Sequence, residues 1–426
     1  MLETIIELLK QSGVHAWELN DVQTRGWEFY FIRHALDQHR AKNVEHIQIK
    51  VYQLVEEGKF MGSASAELPP TATEAEAKKL IEDLAYRATL VKNRPYPLNP
   101  PRPGQPMDET VDPAAIAGDF IRTMRSLPET AGEDVNSYEI FVSDKVRRFL
   151  NSEGVDLTER YPDSMIEVVV NARRDGHEIE LYRNFTSGSC DSEALKRDLG
   201  KAMAYGRDRL QAKPTPNLGT ADVLFSGADA CSIYEFFVER CNAAMIVRGL
   251  SDWTLGTPIA QDIRGDRVNV YARRTLPNSS RNRGFDAEGA PIRDTALLEE
   301  SVPKEILGGR MFSSYMGLEN SFNPTNIEVS GGTKTEEELR RGPYLEAVEF
   351  SDFQVDAMTG DIFGEIRLGY WHDGETVTPV SGGSVSGSML NFLKELAMSV
   401  QQAQYDNMRI PALTRLKNVT VTGAEG

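Results

Sequence analysis

Hydrophobic periodicity predicts a mixture of helices and strand pairs at the start of the chain. Apolar residues at helical spacing predict a first helix around residues 5–9, and the apolar stretch 27–36 predicts a second. In residues 47–51 the period changes to strict alternation, and Glu57-Gly58 follows as a turn. Alternation that ends in such a turn is typical of a half-buried antiparallel hairpin.

The same mixture continues to about residue 218. Helical spacing predicts helices over 77–88, 116–124 and 195–210, and Asp175-Gly176 predicts the turn of a second hairpin. Between the first two of these helices, residues 94–113 are too rich in proline for a helix or a central strand. We therefore expect an extended linker or strap there.

A change of composition marks a domain boundary at residues 213–219, KPTPNLG. Beyond it we expect a short strand, a strongly apolar helix from Cys231, many short strands, a helix near 388–400 and a final strand. The predicted fold class is α+β, with an N-terminal α+β domain (1–218). The second domain (219–426) is predicted to be mainly β and barrel-like, with capping helices.

Charge and cysteine content limit the class of partner and the compartment. The formal net charge of -17 disfavours nucleic acid as a ligand, because binding to a phosphate backbone needs clustered cations. Basic residues do cluster around Arg273-Arg274, Arg281 and Arg283, either as a solvated loop or as an anion contact. Three cysteines without a CxxC pair, and no readable secretory or membrane-spanning segment, favour the cytoplasm and no membrane association.

Few residues present recognisable chemistry. Glu235 and Glu239 lie four apart on the predicted helix, so their carboxylates share a face. They form either a general-base or metal pair or the solvated side of the helix. His34 and His39 stand five apart on a predicted helix, but with Leu36 and Asp37 between them they lack the acid placement of a hydrolytic zinc motif. Residues 382–387, GGSVSG, lack the lysine of a phosphate-binding loop and predict a tight strand-to-helix turn.

From Phe285 onward the order of motifs resembles the TldD/PmbA family, the "modulator of DNA gyrase" proteins. The resemblance is carried by FDAEGAPIRDTALLEE, MGLENS, NIEVSGG, TEEELRRGPYLEAVEFSDFQVDAMTGDIFGEIRLGYWHDGE, VSGGSVSGSMLNFLKEL and IPALTRLKNVTVTG, and more faintly by VEEGKFMGSAS near the start. It implies cytosolic proteins with an α+β N-terminal domain and a mainly β C-terminal domain, paired as dimers around an enclosed cleft.

One branch of this family is a metallopeptidase that holds zinc with a His-Glu-x-x-x-His helix and a cysteine near the C-terminus. By the resemblance, Glu235, Phe236 and Arg240 stand where that branch has His, Glu and His, and Glu239 becomes a possible cleft residue. The C-terminal cysteine has no counterpart, because Cys241 is the last cysteine in the chain. The resemblance therefore implies the zinc-less branch, with no catalytic residue, no metal and no other cofactor.

The expected function is that of a non-catalytic subunit of a peptidase system, which binds peptide or partner and completes the cleft of a zinc-bearing relative. The expected partner is a second copy of the chain or that relative. Two alternatives stay open: an independent hydrolase that uses carboxylates such as Glu235 and Glu239 with a different divalent ion, and a regulatory protein that acts on DNA gyrase.

Overall fold

The N-terminal domain is one antiparallel sheet with four helices on one face. The computed structural model describes residues 1–424, and this sheet has the strand order β3-β2-β1-β4-β5-β6. Its elements are α1 (Leu2–Gln11), β1 (Ala16–Ile32), β2 (Ala35–Val55), β3 (Phe60–Leu68), α2 (Glu74–Ala88), α3 (Pro113–Arg125), β4 (Glu133–Asn151), β5 (Asp156–Arg174), β6 (His177–Ser187) and α4 (Ser192–Leu210). Helices α1 and α2 share one apolar core with the sheet, and α3 and α4 share another.

Local sequence explains most of these elements. Thr73 and Glu76 form a capping box at the start of α2, and Asp112 caps α3 immediately before Pro113. The predicted hairpin turns are confirmed: positive φ angles at Glu57 and Gly58 join β2 to β3, and Asp175-Gly176 joins β5 to β6.

The helix predicted over 27–36 is wrong. This stretch is the end of β1, the turn at Arg33 and His34, and the beginning of β2. Phe31 is buried in the core against Tyr138, while its neighbour Ile32 is 60% exposed. In a strand, consecutive side chains point to opposite faces of the sheet. The apolar run therefore covers both faces of β1, which hides the alternation that would have predicted a strand.

The proline-rich segment 94–113 is an extended strap, as predicted, up to the start of α3. It contacts both domains: the side-chain amide of Asn151 donates to the carbonyl of Asn99, and that of Asn99 donates to the carbonyl of Glu288. From the C-terminal domain, Arg310 Nε donates to the carbonyl of Pro97 at 2.9 Å. The strap therefore fixes one domain against the other.

The C-terminal domain combines a closed five-stranded barrel with a second, six-stranded sheet. The barrel runs β13-β8-β20-β16-β14 and closes by pairing β14 with β13, and the second sheet runs β11-β10-β9-β12-β19-β18. The elements are β7 (Lys213–Pro214), β8 (Gly219–Phe225), α5 (Cys231–Arg240), α6 (Ala243–Val247), β9 (Val270–Arg273), β10 (Thr295–Glu299), β11 (Val302–Pro303), α7 (Arg310–Tyr315), β12 (Asn326–Val329), α8 (Glu336–Leu339), β13 (Tyr344–Val355), β14 (Asp361–His372), β15 (Val377–Ser381), β16 (Ser384–Ser388), α9 (Met389–Phe392), β17 (Ala397–Met398), β18 (Gln402–Tyr405), β19 (Met408–Pro411) and β20 (Thr414–Thr422). The predicted α+β fold with a barrel-like second domain is confirmed.

Two local predictions fail in this domain. The helix expected over 388–400 ends at Phe392, because the backbone N–H groups of residues 264–266 bond to the carbonyls of Lys394 and Leu396 instead. Gly382 and Gly383 do not lead into a helix either. They form a kink between β15 and β16, which lie end to end along β14, and Ile366 bonds to both glycines across the kink.

Among the described residues, no helix has the length and apolar character needed to cross a membrane.

Candidate functional site

Helix α5 divides its residues between the core and the solvent. Ile233, Tyr234, Phe237 and their apolar neighbours are buried in the main core of the C-terminal domain. Glu235 and Glu239 lie on the opposite, exposed face. The helical spacing of four residues therefore places both carboxylates on one face, as the sequence predicts.

The pKa of Glu235 is raised above that of a free glutamate. Partial burial raises the pKa of Glu235, although its side chain keeps contact with solvent. The negative charge of Glu239 raises this pKa further. Within residues 1–424 no lysine, arginine or histidine nitrogen lies within 4 Å of either carboxylate. A carboxyl group in this setting holds its proton to a higher pH than a free glutamate does.

Phe236 and Arg240 belong to the core. Phe236 is 1% exposed, and its ring packs edge-on against Phe237 and Trp253 at centroid distances of 5.4 and 5.8 Å. The guanidinium of Arg240 lies over the Trp253 ring at 5.2 Å. Neither side chain is available to the exposed face that carries Glu235.

The charge of Arg240 is compensated by other segments of the chain. Its Nη1 donates to the carbonyls of Ala357 and Met358, both at 3.2 Å, and its Nη2 forms an ion pair with Asp252. The carbonyl of Arg240 in turn accepts a hydrogen bond from Ser251. Arg240 thus fixes the loop after α6 and the turn between β13 and β14 to the end of the helix.

These residues do not fit a zinc ion of the kind held by a His-Glu-x-x-x-His helix. A permanently charged arginine offers no lone pair to a metal, and Phe236 offers no general base. Residues 1–424 contain no cluster of three or more His, Cys, Asp or Glu side chains that could hold a metal ion.

The beginning of α5 lies at a polar junction between the two domains, where the resemblance expects a cleft. Burial, and then the charges of Glu235 and Asp229, raise the pKa of the Cys231 thiol to about 12, so this thiol is neutral near pH 7. Tyr405, on the hairpin of β18 and β19, lies near Cys231, and burial raises its pKa as well. The hairpin is part of the segment from which the resemblance expects a cysteine ligand, and the fold brings this hairpin beside α5.

The junction also receives side chains from the N-terminal domain. Tyr205 on α4 and Arg183 on β6 lie beside it, and Arg183 forms an ion pair with Glu349 on β13. The Tyr370 hydroxyl donates to Asp208 on α4 at 2.6 Å. Carboxylates, phenols and guanidinium groups from both domains therefore meet at the junction.

The other candidate residues lie elsewhere. His34, in the β1–β2 turn, pairs with Glu129 at 3.0 Å. His39 is exposed on β2, so neither histidine lies at the junction around α5. Of the arginine cluster, Arg273 pairs with Glu328, and Arg283 stacks on Tyr161. We infer a structural role for both of these arginines.

Sequence reasoning did not find Arg183, Tyr205, Asp229 or Tyr405. Each stands on a different element, and no spacing along the chain relates them. Only the packing of α4 against the C-terminal domain brings them together.

Comparison with known proteins supports the resemblance. Residues 218–423 match the PmbA/TldA metallopeptidase C-terminal domain. A metalloprotease from Methanothermobacter thermautotrophicus is 26% identical over 272 residues, a region that covers 58% of this chain and 58% of that protein. The chain thus spans less than two thirds of the length of this relative.

Two solved structures share the fold over nearly the whole chain. TldE from Thermococcus kodakarensis superposes with a TM-score of 0.78 at 15% identity, covering 99% of this chain and 100% of that one. A proposed modulator of a DNA gyrase from Thermotoga maritima gives a TM-score of 0.77 at 16% identity, covering 99% of both chains. Fold, motif order and the match over 218–423 together show that this chain is similar to the PmbA/TldD family, with its C-terminal half matching that family's metallopeptidase domain.

Proposed function

We propose that this chain is a non-catalytic subunit of a cytoplasmic TldD/PmbA-type peptidase system. It binds peptide or partner at the interdomain cleft and completes the cleft of a zinc-bearing relative. The observation that carries the proposal is the burial of Phe236 and Arg240 in the core, at the positions where the resemblance expects the family's general base and second histidine. Of the three positions that the resemblance assigns to the motif, Glu235 is the exposed one.

The composition of the cleft supports a binding role. The cleft combines acidic side chains with the phenols of Tyr205 and Tyr405, groups that bind peptide amides and amines without performing hydrolysis. The structural likeness to TldE agrees with this proposal, but it establishes only the fold.

Metal analysis and reconstitution test the proposal. Purified chain is expected to carry no stoichiometric zinc and to cleave no unfolded peptide alone. Addition of a zinc-bearing relative from the same cells should produce peptidase activity together with co-elution of the two chains. The matched control is the relative with its first zinc histidine replaced by alanine, which should bind the chain and remain inactive. A stoichiometric zinc ion in this chain, or a relative that neither binds nor responds to it, contradicts the proposal.

A second candidate, an independent hydrolase, is favoured by one observation. Glu235 and Glu239 form an exposed carboxylate pair, and the raised pKa of Glu235 suits a general acid. For this function the lone chain must turn over a substrate in the presence of a divalent ion, and Glu235→Ala must abolish turnover while Glu337→Ala, an exposed control on α8, leaves it unchanged. Under the first proposal, Glu235→Ala leaves the activity of the reconstituted pair intact.

The third possibility, regulation of DNA gyrase, is suggested by the names of two solved structures of similar fold, from Thermotoga maritima and Bacteroides thetaiotaomicron. Co-purification of this chain with gyrase would favour it.

A further inference from the structure

A cavity of about 360 Å³ opens on the outer face of the barrel, beside the kink between β15 and β16. Its wall includes Ser351 on β13, Glu365 and Arg367 on β14, and the kink residues 381–384. Sites for small molecules in proteins measure roughly 300–1,000 Å³, so the cavity has the size of such a site. None of these residues lies on α5, so what binds here does not depend on the proposed function.

The cavity is lined mainly by hydrogen-bond donors. Within residues 1–424 the Arg367 guanidinium donates to no acceptor, and the Gly383 N–H and the Ser384 hydroxyl also have no partner. The carboxylate of Glu365, in contrast, already accepts a hydrogen bond from the Ser351 hydroxyl at 2.7 Å. The groups that are left for a ligand therefore favour one that is rich in acceptors.

A second guanidinium lies beside the cavity. Arg209 is in the last turn of α4, which packs against β14 and β15, and the chain then enters β7, which pairs with Val380 and Ser381. Burial, and then the charge of Arg367, lowers the pKa of Arg209, as expected for two cations held close together. The dipole of α4 favours a cation at the position of Arg209, but it gives no reason for a second cation next to it.

The described chain does not neutralise this pair of arginines. Within residues 1–424 no Asp or Glu oxygen lies within 4 Å of the side-chain nitrogens of Arg209 or Arg367. The carboxylate of Asp208, the nearest in sequence, accepts from the Tyr370 hydroxyl. Two unneutralised arginines side by side are unexpected in a chain of net charge -17. Like charges repel one another, and an anion between them replaces this repulsion with charge-assisted hydrogen bonds.

We propose that the cavity binds the phosphate group of a hydroxylated small molecule. The phosphate lies between the guanidinium groups of Arg209 and Arg367 and accepts further hydrogen bonds from Gly383 and Ser384. A phosphate monoester carries about 1.5 to 2 negative charges near pH 7 and three acceptor oxygens, so it matches two guanidinium groups better than a singly charged carboxylate does. Glu365 accepts a hydrogen bond from a hydroxyl group on the rest of the molecule.

Isothermal titration calorimetry of the full chain tests the site, with glucose 6-phosphate as the probe. We expect saturable binding, and Arg209→Met or Arg367→Met should weaken it by about tenfold or more, because each removes charged hydrogen bonds. Arg367→Lys keeps the charge and should lose less affinity than Arg367→Met. Arg341→Met, at an exposed arginine before β13, is the matched control and should bind like the native chain. A native chain that does not bind the probe overturns the proposal, as do Arg209 and Arg367 variants that bind as tightly as Arg341→Met.

Two simpler compounds separate the phosphate from the rest of the ligand. Glucose should not bind, because it brings no charge to the arginines. Inorganic phosphate should bind more weakly than glucose 6-phosphate, because it offers no sugar hydroxyl to Glu365. Glucose that binds as tightly as its phosphate overturns the phosphate site, and equal affinities for the two phosphates contradict the part assigned to Glu365.

Chemical modification locates the bound phosphate in the native chain, without substitutions. Phenylglyoxal reacts with accessible guanidinium groups, and mass spectrometry identifies the modified arginines. Glucose 6-phosphate should slow the modification of Arg209 and Arg367 and leave that of Arg341 unchanged. Unchanged rates at Arg209 and Arg367 would show that the phosphate binds elsewhere and would overturn the site.

Discussion

Arg240 is a buried cation whose partners come from two distant segments. Its guanidinium meets Asp252 and the carbonyls of Ala357 and Met358, and it stacks on Trp253. The helical position of Arg240 could be predicted from sequence, but its burial could not, because no pattern links residue 240 to residues 252 and 357. The resemblance predicts a lost metal ligand at this position, and in the structure the arginine holds two distant segments to the end of α5.

Replacing Arg240 with alanine should destabilise the chain by about 2–3 kcal/mol, because two carbonyl groups lose their donor and a void forms beside Trp253. The exposure of Asp252, at 88%, keeps the loss below that of a fully buried ion pair. Urea unfolding should show a lower midpoint with the same slope. Arg267→Ala, which removes an exposed pair with Glu300, should change the free energy of unfolding by about 0.5 kcal/mol or less. Equal effects of the two substitutions would contradict the structural role of Arg240.

Asp21 should make stability depend on pH. It is 4% exposed on β1, and burial, followed by the charge of Glu45, raises its pKa from 3.8 to about 6. Because the folded-state pKa lies above the unfolded value, the stabilisation is fully present below about pH 4 and is lost as the pH rises through about 6. This rise in pKa corresponds to about 3 kcal/mol.

Asp21→Asn removes this titration, since an amide carries no charge at any pH. The difference in free energy of unfolding between variant and native chain should therefore grow by about 2–3 kcal/mol in favour of the variant between pH 4 and pH 7. Chemical denaturation across this range measures it. Asp83→Asn, at an exposed position on α2, is the control for the removal of one surface carboxylate. A flat difference for Asp21→Asn would show that its carboxyl is not destabilised by burial.

At the scale of elements, prediction succeeded where one periodicity was unambiguous. Helix α2 has apolar residues at helical spacing behind a capping box, and the strand pairs turn at Glu57-Gly58 and Asp175-Gly176. The stretch 27–36 failed because both faces of the strand carry aromatic or aliphatic residues, which hides the alternation. The stretch 388–400 failed because tertiary hydrogen bonds from residues 264–266 replaced those of a helix.

The kink between β15 and β16 depends on glycine for two reasons. Gly383 has a φ of 74°, and a Cβ atom there would lie 2.2 Å from the carbonyl oxygen of Thr422 on β20. Gly383→Ala should therefore lower stability by about 3 kcal/mol or more, since strain in φ adds to a backbone clash that the barrel cannot relieve. The matched control is Gly176→Ala, with a φ of 81° and no atom within 4 Å, which should cost only about 1 kcal/mol. Thermal unfolding of both variants distinguishes conformational strain from the clash, and equal losses would contradict the close approach of β20.

At the scale of the whole molecule, the two domains meet through polar contacts as well as through the strap. Arg183 on β6 pairs with Glu349 on β13, and Tyr370 on β14 bonds to Asp208 on α4. Glu349 is 9% exposed at its side chain, so the pair is largely shielded from water. None of these partnerships could be predicted from the sequence, since each joins residues of different domains.

Arg183→Met should weaken the coupling between the domains while leaving each core intact. The substitution keeps much of the aliphatic volume but leaves the Glu349 carboxylate buried without its cation, which costs about 3 kcal/mol at the junction. Calorimetry of the native chain is expected to show one transition, and that of the variant two, because each domain retains its own apolar core. Arg207→Met removes an exposed pair with Glu133 inside the N-terminal domain and should leave a single transition. If Arg183→Met also unfolds in one step at the native temperature, the pair does not couple the domains, and the rigidity of the cleft must come from the strap and from the contact of Ser189 with Asn278.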